Sequence, residues 1–423
     1  MSDVAVAAAV AEAHRREWGF VLAATVRVTR DIDLAEECVQ DAYARALSTW
    51  GARGVPANPG AWLTTVARRR ALDLLRRDAS LRARLPLLLD EPDPAPRPEI
   101  PDDRLRLIFT CCHPALAQPA QVALTLRLLC GLTTAEVAHA FLVSEPTMAA
   151  RITRAKKKIA AARIPYEVPP AAELPERIDA VLTVVHLLFT TGHTAPAGAS
   201  LVRRDLVERA LDLARMLRLL LPSDADVAGL LALIVLTDAR RSTRVADDGR
   251  LLLLADQDRS RWDHGAIAEG VALVREALRR RPPGRFALMA AIAAVHAEAP
   301  SWDDTDWREL VGLYDLLIDI WPSPVVALNR AVAVGFASGP SDGLAALDAL
   351  AAEPQLAGYG YLAAARADFL RRLGRVDEAR TAYEEALLLT ENDVERRFLA
   401  DRLESLSPSS PPPRPPTPPS IQR

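Results

Sequence analysis

The placement of proline constrains this chain more than any other feature. Pro86, Pro92, Pro94, Pro96, Pro98 and Pro101 fall in one short stretch, interleaved with Asp90, Glu91, Asp93 and Glu99. Each proline lacks a backbone donor and clashes with the preceding helical turn, so this stretch is an extended acidic linker. A second break is Pro165-Tyr166-Glu167-Val168-Pro169-Pro170. From Pro408 to Arg423 half the residues are proline, which predicts a disordered tail of polyproline II character. These breaks divide the chain into segments 1–85, 101–165 and 170–405, with a linker at 86–100 and a tail at 406–423.

The material between the breaks is suited to helices. Half of the 423 residues are hydrophobic but only 5% are aromatic, so the apolar content is mostly Ala, Leu and Val. That composition favours an all-α fold over a β-sandwich, and the length predicts two or three domains. Helices are expected at 4–29, 33–50, 59–78, 104–112, 119–130, 134–141 and 146–162. Asp33 with Glu36 resembles a capping box, and Asn58-Pro59 places a cap before a first-turn proline. In the third helix, Trp62, Val66 and Ala67, continued by Ala71, Leu74 and Leu75, form the expected core stripe.

The net charge of −3 hides a split. Residues 1–170 hold 23 basic and 19 acidic side chains, and the remainder holds 29 and 36. Arg68, Arg69, Arg70, Arg76, Arg77, Arg82 and Arg84 crowd one run, against Asp73 and Asp78. Arg151, Arg154, Lys156, Lys157, Lys158 and Arg163 form another that contains no acid. No apolar run reaches the length of a membrane span. Cys38, Cys111, Cys112 and Cys130 show no disulfide framework, so a reducing, cytoplasmic setting is expected.

Residues 133–162 carry the sharpest pattern. Thr133 begins a short helix, Leu142-Val143-Ser144 makes a turn, and Ser144 caps a second helix with Pro146 in its first turn. Met148, Ile152, Ala155 and Ile159 repeat as a buried stripe, while Thr147, Arg151, Arg154 and Lys158 repeat on another. This is the layout of a helix-turn-helix, whose second helix offers a basic face to the major groove. Arginines there suit guanine edges, and lysines such as Lys157 and Lys158 suit phosphates.

These residues carry a resemblance. Gly131 to Ala138 and Met148 to Ile159 resemble region 4 of extracytoplasmic-function (ECF) sigma factors, which belong to the sigma-70 family. Asp33 to Leu47 resembles region 2.2. Pro59 to Arg68, with Ala71-Leu72-Asp73 and Arg76-Arg77, resembles regions 2.3 and 2.4. The resemblance implies a subunit that binds the clamp of the RNA polymerase core and directs it to promoter DNA. It implies −35 contacts from Thr147, Arg151, Arg154, Lys157 and Lys158. It implies −10 contacts from Asn58, Arg68, Arg69, Arg70, Arg76 and Arg77, beside a base pocket in the loop from Trp50 to Asn58. Clamp contacts fall on Gln40, Asp41 and Arg45. Relatives often carry Asn where this chain has Arg69.

About 240 residues follow the part that resembles a simple sigma factor. Ala367, Leu373-Gly374-Arg375, Asp377-Glu378-Ala379, Tyr383 and Ala386 match a tetratricopeptide (TPR) repeat. Shifted back by 34 residues, Ala333, Ala345, Ala349 and Ala352 take the equivalent places, and Tyr314, Leu317 and Pro322 follow one repeat earlier. Phe109 to Leu116 and Ser323 to Ala333 resemble phrases of an ECF subgroup with a TPR-like extension, implying regulation through a protein partner or an intramolecular contact. In such relatives an Asn-Glu-Gly follows the aromatic equivalent to Phe189, whereas this chain has Thr190-Thr191-Gly192.

Enzyme chemistry has little support. Cys111, Cys112 and His113 project about 100° apart on a helix and cannot readily close one tetrahedral site. His186 and His193 read as core or cap residues, and Asp303, Asp304 and Asp306 as a loop that caps the next helix. There is no Walker loop, GxSxG elbow or HExxH. Neither a catalytic site, a metal nor a cofactor is expected. The rival reading is a helix-turn-helix transcriptional regulator with a TPR sensor, not a polymerase subunit. A third is a TPR scaffold whose basic helices bind no DNA. Neither accounts for the two N-terminal patterns.

Overall fold

The computed structural model describes residues 3–82, 103–140, 143–170 and 173–406. The linker at 86–100, Arg84, Leu142 and the tail beyond Leu406 lie outside them. The described residues are all-α, with eighteen α-helices and one pair of two-residue strands. The packing divides into two compact units.

The first unit spans Met1–Pro196, Val202–Asp238 and Ala268–Ala290. It holds α1 (Asp3–Thr29), α2 (Ile32–Arg53), α3 (Pro59–Arg82), α4 (Asp103–Cys111), α5 (Gln118–Leu128), α6 (Thr134–Ala140), α7 (Glu145–Ala161), α8 (Leu174–His193), α9 (Arg204–Leu220) and α10 (Ala225–Asp238). Residues 268–277 of α11 (His264–Ala277) and 285–290 of α12 (Arg285–Glu298) complete it.

Helices α1, α2 and α3 pack on one another around Val21, Leu22, Val39, Ala42, Leu63 and Ala67. The core stripe of α3 is Leu63, Ala67 and Ala71, all fully buried, whereas Trp62 and Val66 are only half-buried. The α2 cap also lies earlier than expected. Asp31, not Asp33, is the N-cap, its carboxylate accepting from the Leu34 amide at 2.9 Å. Asp33 is thereby left inside the helix and exposed.

Helix α8 pairs with α9, and α9 with α10. Val227 to Leu236 of α10 are buried on every side, as a helix apolar all round must be. His186 meets Phe286 edge-on, with ring centroids 5.6 Å apart. Burial, helped by the Arg285 charge, pushes its imidazole down to about 4.

The second unit spans Ala197–Leu201, Ala239–Ile267 and Ala291–Arg423. It contains β1 (Ala197–Gly198), α13 (Trp307–Ile320), α14 (Pro324–Ser338), α15 (Pro340–Asp348), α16 (Gly360–Arg372), α17 (Val376–Leu389), β2 (Glu391–Asn392) and α18 (Asp393–Glu404). Strands β1 and β2 are parallel, pairing Ala197 with Glu391 and Gly198 with Asn392. Asn392 holds this corner: its amide donates to the Ser200 carbonyl at 3.1 Å, and its oxygen caps α18 through the Val394 and Glu395 amides. The Asp303–Asp306 loop behaves as expected, with Asp306 accepting from the Glu309 amide at 2.9 Å to cap α13.

Helices α16 and α17 form a tight hairpin turned by Gly374, whose φ of 75° suits glycine. Ala367, Ala379, Tyr383 and Ala386 are buried along its seam. The preceding hairpin departs from the expected register. Helix α15 ends at Asp348, so Ala349 and Ala352 lie beyond it and, with Ala345, are exposed; Gly343, Leu344 and Leu347 are buried instead. Phe369 packs against both Gly335 and Gly343, and a Cβ on Gly343 would stand 2.5 Å from the Gly335 Cα and 2.6 Å from the Phe369 ring.

Gly343→Ala is expected to destabilise the protein by about 1–3 kcal/mol, because backbone lies on the far side of the contact. A lowered thermal midpoint checks this. His296 is also pushed down to about 4, by burial first and then by Arg240 and Arg259. Unfolding restores ordinary imidazoles that bind protons near 6.5. The unfolded state therefore binds more protons between about 6.5 and 4, and stability falls as pH drops through that window. Urea midpoints against pH should show the fall, and His186→Phe should flatten it.

Candidate nucleic-acid interface

The geometry of α7 begins with its caps. Ser144 accepts from the Thr147 amide at 3.4 Å, and its hydroxyl lies 2.8 Å from that of Thr147. One helix earlier, Thr133 and Glu136 form a reciprocal box: the Thr133 amide donates to Glu136 at 2.7 Å and the Glu136 amide to Thr133 at 3.1 Å. Met148, Ile152, Ala155 and Ile159 are buried, as the stripe predicts. Thr147, Arg154, Lys157 and Lys158 are exposed, and Arg151 is half-buried. A polar, basic face therefore stands on a helix braced from behind.

Lys156 does not share that face. Its ammonium lies 2.9 Å from Asp33 Oδ1 and donates to Glu36 Oε2, both on α2. Glu36 is only 7% exposed, and its other oxygen is 3.4 Å from the Arg127 guanidinium of α5. Burial alone would lower the Lys156 pKa, but the charge of Glu36 and hydrogen bonds to Glu36 and Asp33 hold it above the ordinary value.

Close packing surrounds this ion cluster. Arg127 lies over the Trp18 ring at 5.6 Å, and Trp18 also fills the space beside Gly131, whose φ is 68°. Any side chain on Gly19 would strike the Leu129 carbonyl, so glycine is required where α1 meets the end of α5. The Tyr166 hydroxyl sits between the carbonyls of Ala23 at 2.7 Å and Asp103 at 3.0 Å. Helices α1 and α2 are thus joined to α4, α5 and α7 by specific polar and steric contacts.

Further residues attach to α4, α5 and α6 from beyond Pro170. Arg177 donates to the Phe109 carbonyl, Arg209 to the Leu129 carbonyl at 3.1 Å, and Arg203 pairs with Glu136 at 3.3 Å.

On α2, Gln40, Asp41 and Arg45 are all exposed. Arg68, Arg69, Arg76 and Arg77 of α3 are exposed too, while Arg70 is half-buried and pairs with Asp41 at 2.8 Å. An expected clamp residue and an expected −10 residue thus engage each other. Asn58 has a structural task, its side-chain oxygen accepting from the Ala61 amide at 2.9 Å to cap α3. Trp50 is buried against the half-buried Trp62, with centroids 5.7 Å apart. The thiols at Cys111 and Cys112 are buried, and desolvation pushes Cys112 up to about 12, which keeps it protonated and inert. The His113 ring accepts from the Ala115 amide at 3.1 Å.

A braced basic helix therefore lies in the same unit as a bundle whose third helix is lined with arginine. Residues 14–80 match sigma-70 region 2, and residues 106–159 match sigma-70 region 4. Residues 177–278 match a family of unknown function, DUF6596. An uncharacterized protein of Rhizobium meliloti (strain 1021) is 42% identical over 395 residues, covering 91% of this chain and 93% of the relative. The presence of both regions supports a sigma-70 family sigma factor, a family whose members are specificity factors of RNA polymerase rather than enzymes. Promoter DNA and the polymerase core are the partners this family implies.

The charge patterns missed the role of Lys156, which had been one cation in a run without acids. The available signal was its position, out of phase with Thr147, Arg151, Arg154 and Lys158. In a double-mutant cycle with Glu36→Gln and Lys156→Met, a coupling above about 1 kcal/mol is expected from chemical denaturation. Glu36→Gln alone should cost about 3–5 kcal/mol, since Lys156 and Arg127 lose their buried counter-charge. Additivity within about 0.5 kcal/mol would show that the contact carries no coupling.

Proposed function

We propose that the chain is an ECF-type sigma factor with a TPR-like, regulatory C-terminal extension, working in the cytoplasm with bacterial RNA polymerase. Segment 1–85 docks on the clamp and captures the −10 strand, 86–100 tethers, 101–165 reads the −35 element, and 170–405 regulates. The observation that carries this reading is the union of both sigma-70 regions in one chain with an exposed basic face on α7. Arg154, Lys157 and Lys158 point to solvent and suit a duplex backbone and base edges, joined by Thr147 and Arg151. Arg68, Arg69, Arg76 and Arg77 offer a cationic wall for an unstacked strand, with Arg70 available once Asp41 turns to the clamp. The buried thiols and the absence of a helix long and apolar enough to cross a membrane, among the described residues, agree with this setting.

Regulation follows from the closed arrangement. The two promoter elements lie many base pairs apart, so region 4 must leave α2 before both are read. The Lys156–Glu36–Arg127 cluster and the contacts of Arg177, Arg203 and Arg209 oppose that departure. Release on binding the core exposes Lys156 as well.

Promoter-specific initiation by purified protein mixed with sigma-free core polymerase is the expected result. DNA binding without any initiation would favour the helix-turn-helix regulator instead. Arg154→Ala should weaken −35-dependent transcription by about 1–3 kcal/mol and do so selectively among −35 sequences if it meets a base edge. Transcription unchanged across a promoter panel by both Arg154→Ala and Arg151→Ala would overturn the assignment of α7.

A further inference from the structure

The loop between α11 and α12 carries a charge that the extension as a whole lacks. Beyond residue 170 acids outnumber bases, 36 to 29, yet residues 275–285 hold five arginines and one acid, Glu276. That acid is already engaged, 2.5 Å from the Arg218 guanidinium of α9. The loop belongs to the same compact unit as α7, and is joined to it through α8 and α5.

Two of the five arginines hold the loop in place. Arg280 Nη1 donates to Asp226 Oδ2 of α10 at 3.2 Å. Arg285 Nη2 donates to Asp179 Oδ1 of α8 at 2.9 Å and to the Thr183 hydroxyl. Gly284 is pressed against Asp226, whose carboxylate any Cβ there would strike. Pro282 and Pro283 fix two φ angles between these anchors. Arg279 and Arg281, on either side of Arg280, are exposed and make no side-chain hydrogen bond or ion pair among the described residues. The loop is thus a fixed mount for two unpaired guanidinium groups.

We propose that this loop grips the phosphate backbone of duplex DNA through Arg279 and Arg281, without reading its sequence. Guanidinium forks pair with phosphate oxygens in parallel, charge-assisted hydrogen bonds. A backbone contact needs projecting cations on a fixed main chain and no face shaped to a groove, and a short proline-stiffened loop supplies that. An acidic protein surface would meet the same charge. DNA is favoured because the other exposed basic face of this unit, on α7, stands on a helix-turn-helix, and a duplex is the polyanion that suits both. Within the promoter-reading role above, on which this consequence rests, the loop adds affinity and α7 adds selection.

Fluorescence anisotropy of the full chain with labelled duplexes of several sequences, titrated at a series of salt concentrations, tests the contact. Arg279→Gln combined with Arg281→Gln is expected to weaken binding roughly tenfold at about 0.1 M salt, equally on every duplex, and to lower the slope of log affinity against log salt by about 1–2. Both side chains are exposed and unpaired, so the variant stays folded, which an unchanged thermal midpoint checks. Arg308→Gln on α13, another exposed arginine, should change nothing. No binding of any duplex at low salt, or unchanged affinity and slope in the double variant, overturns the proposal. So does a loss confined to binding of sigma-free core polymerase, which would assign the loop to a protein partner. Arg154→Ala in the same assay keeps the two readings apart. Weakening by Arg154→Ala alone leaves promoter reading by α7 standing and removes the loop contact, and weakening by the loop variant alone does the reverse.

Discussion

Glu36 is the residue on which the first unit turns. A carboxylate almost out of water must be paid for, and here Lys156 and Arg127 supply two cations from two different helices. The Coulomb gain of such a cluster is offset by the desolvation of all three groups, so its net stabilisation is modest. Its geometric effect is larger. Any displacement of α5 or α7 from α2 leaves one buried charge uncompensated, which makes intermediate positions unfavourable. Close packing at Gly19 and Trp18 sharpens this, since a carbonyl and an indole occupy the space where side chains would otherwise adapt. The arrangement is therefore suited to two states, closed or released, rather than to gradual opening.

The same reasoning explains why α7 can hold opposite electrostatic tasks. Its exposed face concentrates positive charge, which suits a polyanion, while Lys156 one step around the helix is neutralised within the protein. In the promoter-reading role proposed above, a duplex and the α2 carboxylates engage different side chains of one helix. Near-neutral total charge was an average over such local pairings, including Arg70 with Asp41 and Arg203 with Glu136. Arg68, Arg69, Arg76 and Arg77 of α3 and Arg154, Lys157 and Lys158 of α7 are exposed, and these are the faces proposed above to meet nucleic acid.

Helix type and most helix boundaries were legible because proline and periodicity are local signals. The buried stripe of α7, the caps at Thr133 and Ser144 and the small-residue seam of α16–α17 all followed from spacing. Details that depended on a neighbouring helix did not. Leu63 rather than Trp62 faces the core because the line from Leu63 through Ala67 to Ala71 is the one that α1 and α2 cover, and the large indole settles half-exposed against Trp50. Asp31 rather than Asp33 caps α2 because Asp31 adopts extended backbone, with φ at −136°. The roles of Glu36 and Arg127 rest on residues more than ninety positions apart and had no local trace. Asn58 caps α3 as its place before Pro59 predicts, while the pairing of Asp41 with Arg70 belongs to the tertiary fold.

The second unit shows two helical hairpins that solve one packing problem in different ways. What a helical hairpin requires is close approach of two backbones and a lid over the seam. In α16–α17 alanines grant the approach, and Tyr383 fills the remaining space. In α14–α15 glycines grant it, with Gly335 against Gly343 and the Phe369 ring of the next hairpin inserted over both. Alanine-for-alanine alignment therefore fails at Ala345, Ala349 and Ala352, although the packing problem is the same. Phe369 also touches Phe336, which stacks on Trp307 at 4.5 Å and lies under the Arg372 guanidinium at 4.5 Å. Each hairpin thus lends a ring to its neighbour, and a substitution in one seam is felt in the next. Stacked units of this kind share stability through nearest neighbours. The core of α14–α15 is thus completed by the Phe369 ring of the neighbouring hairpin rather than by side chains at its own closest approach.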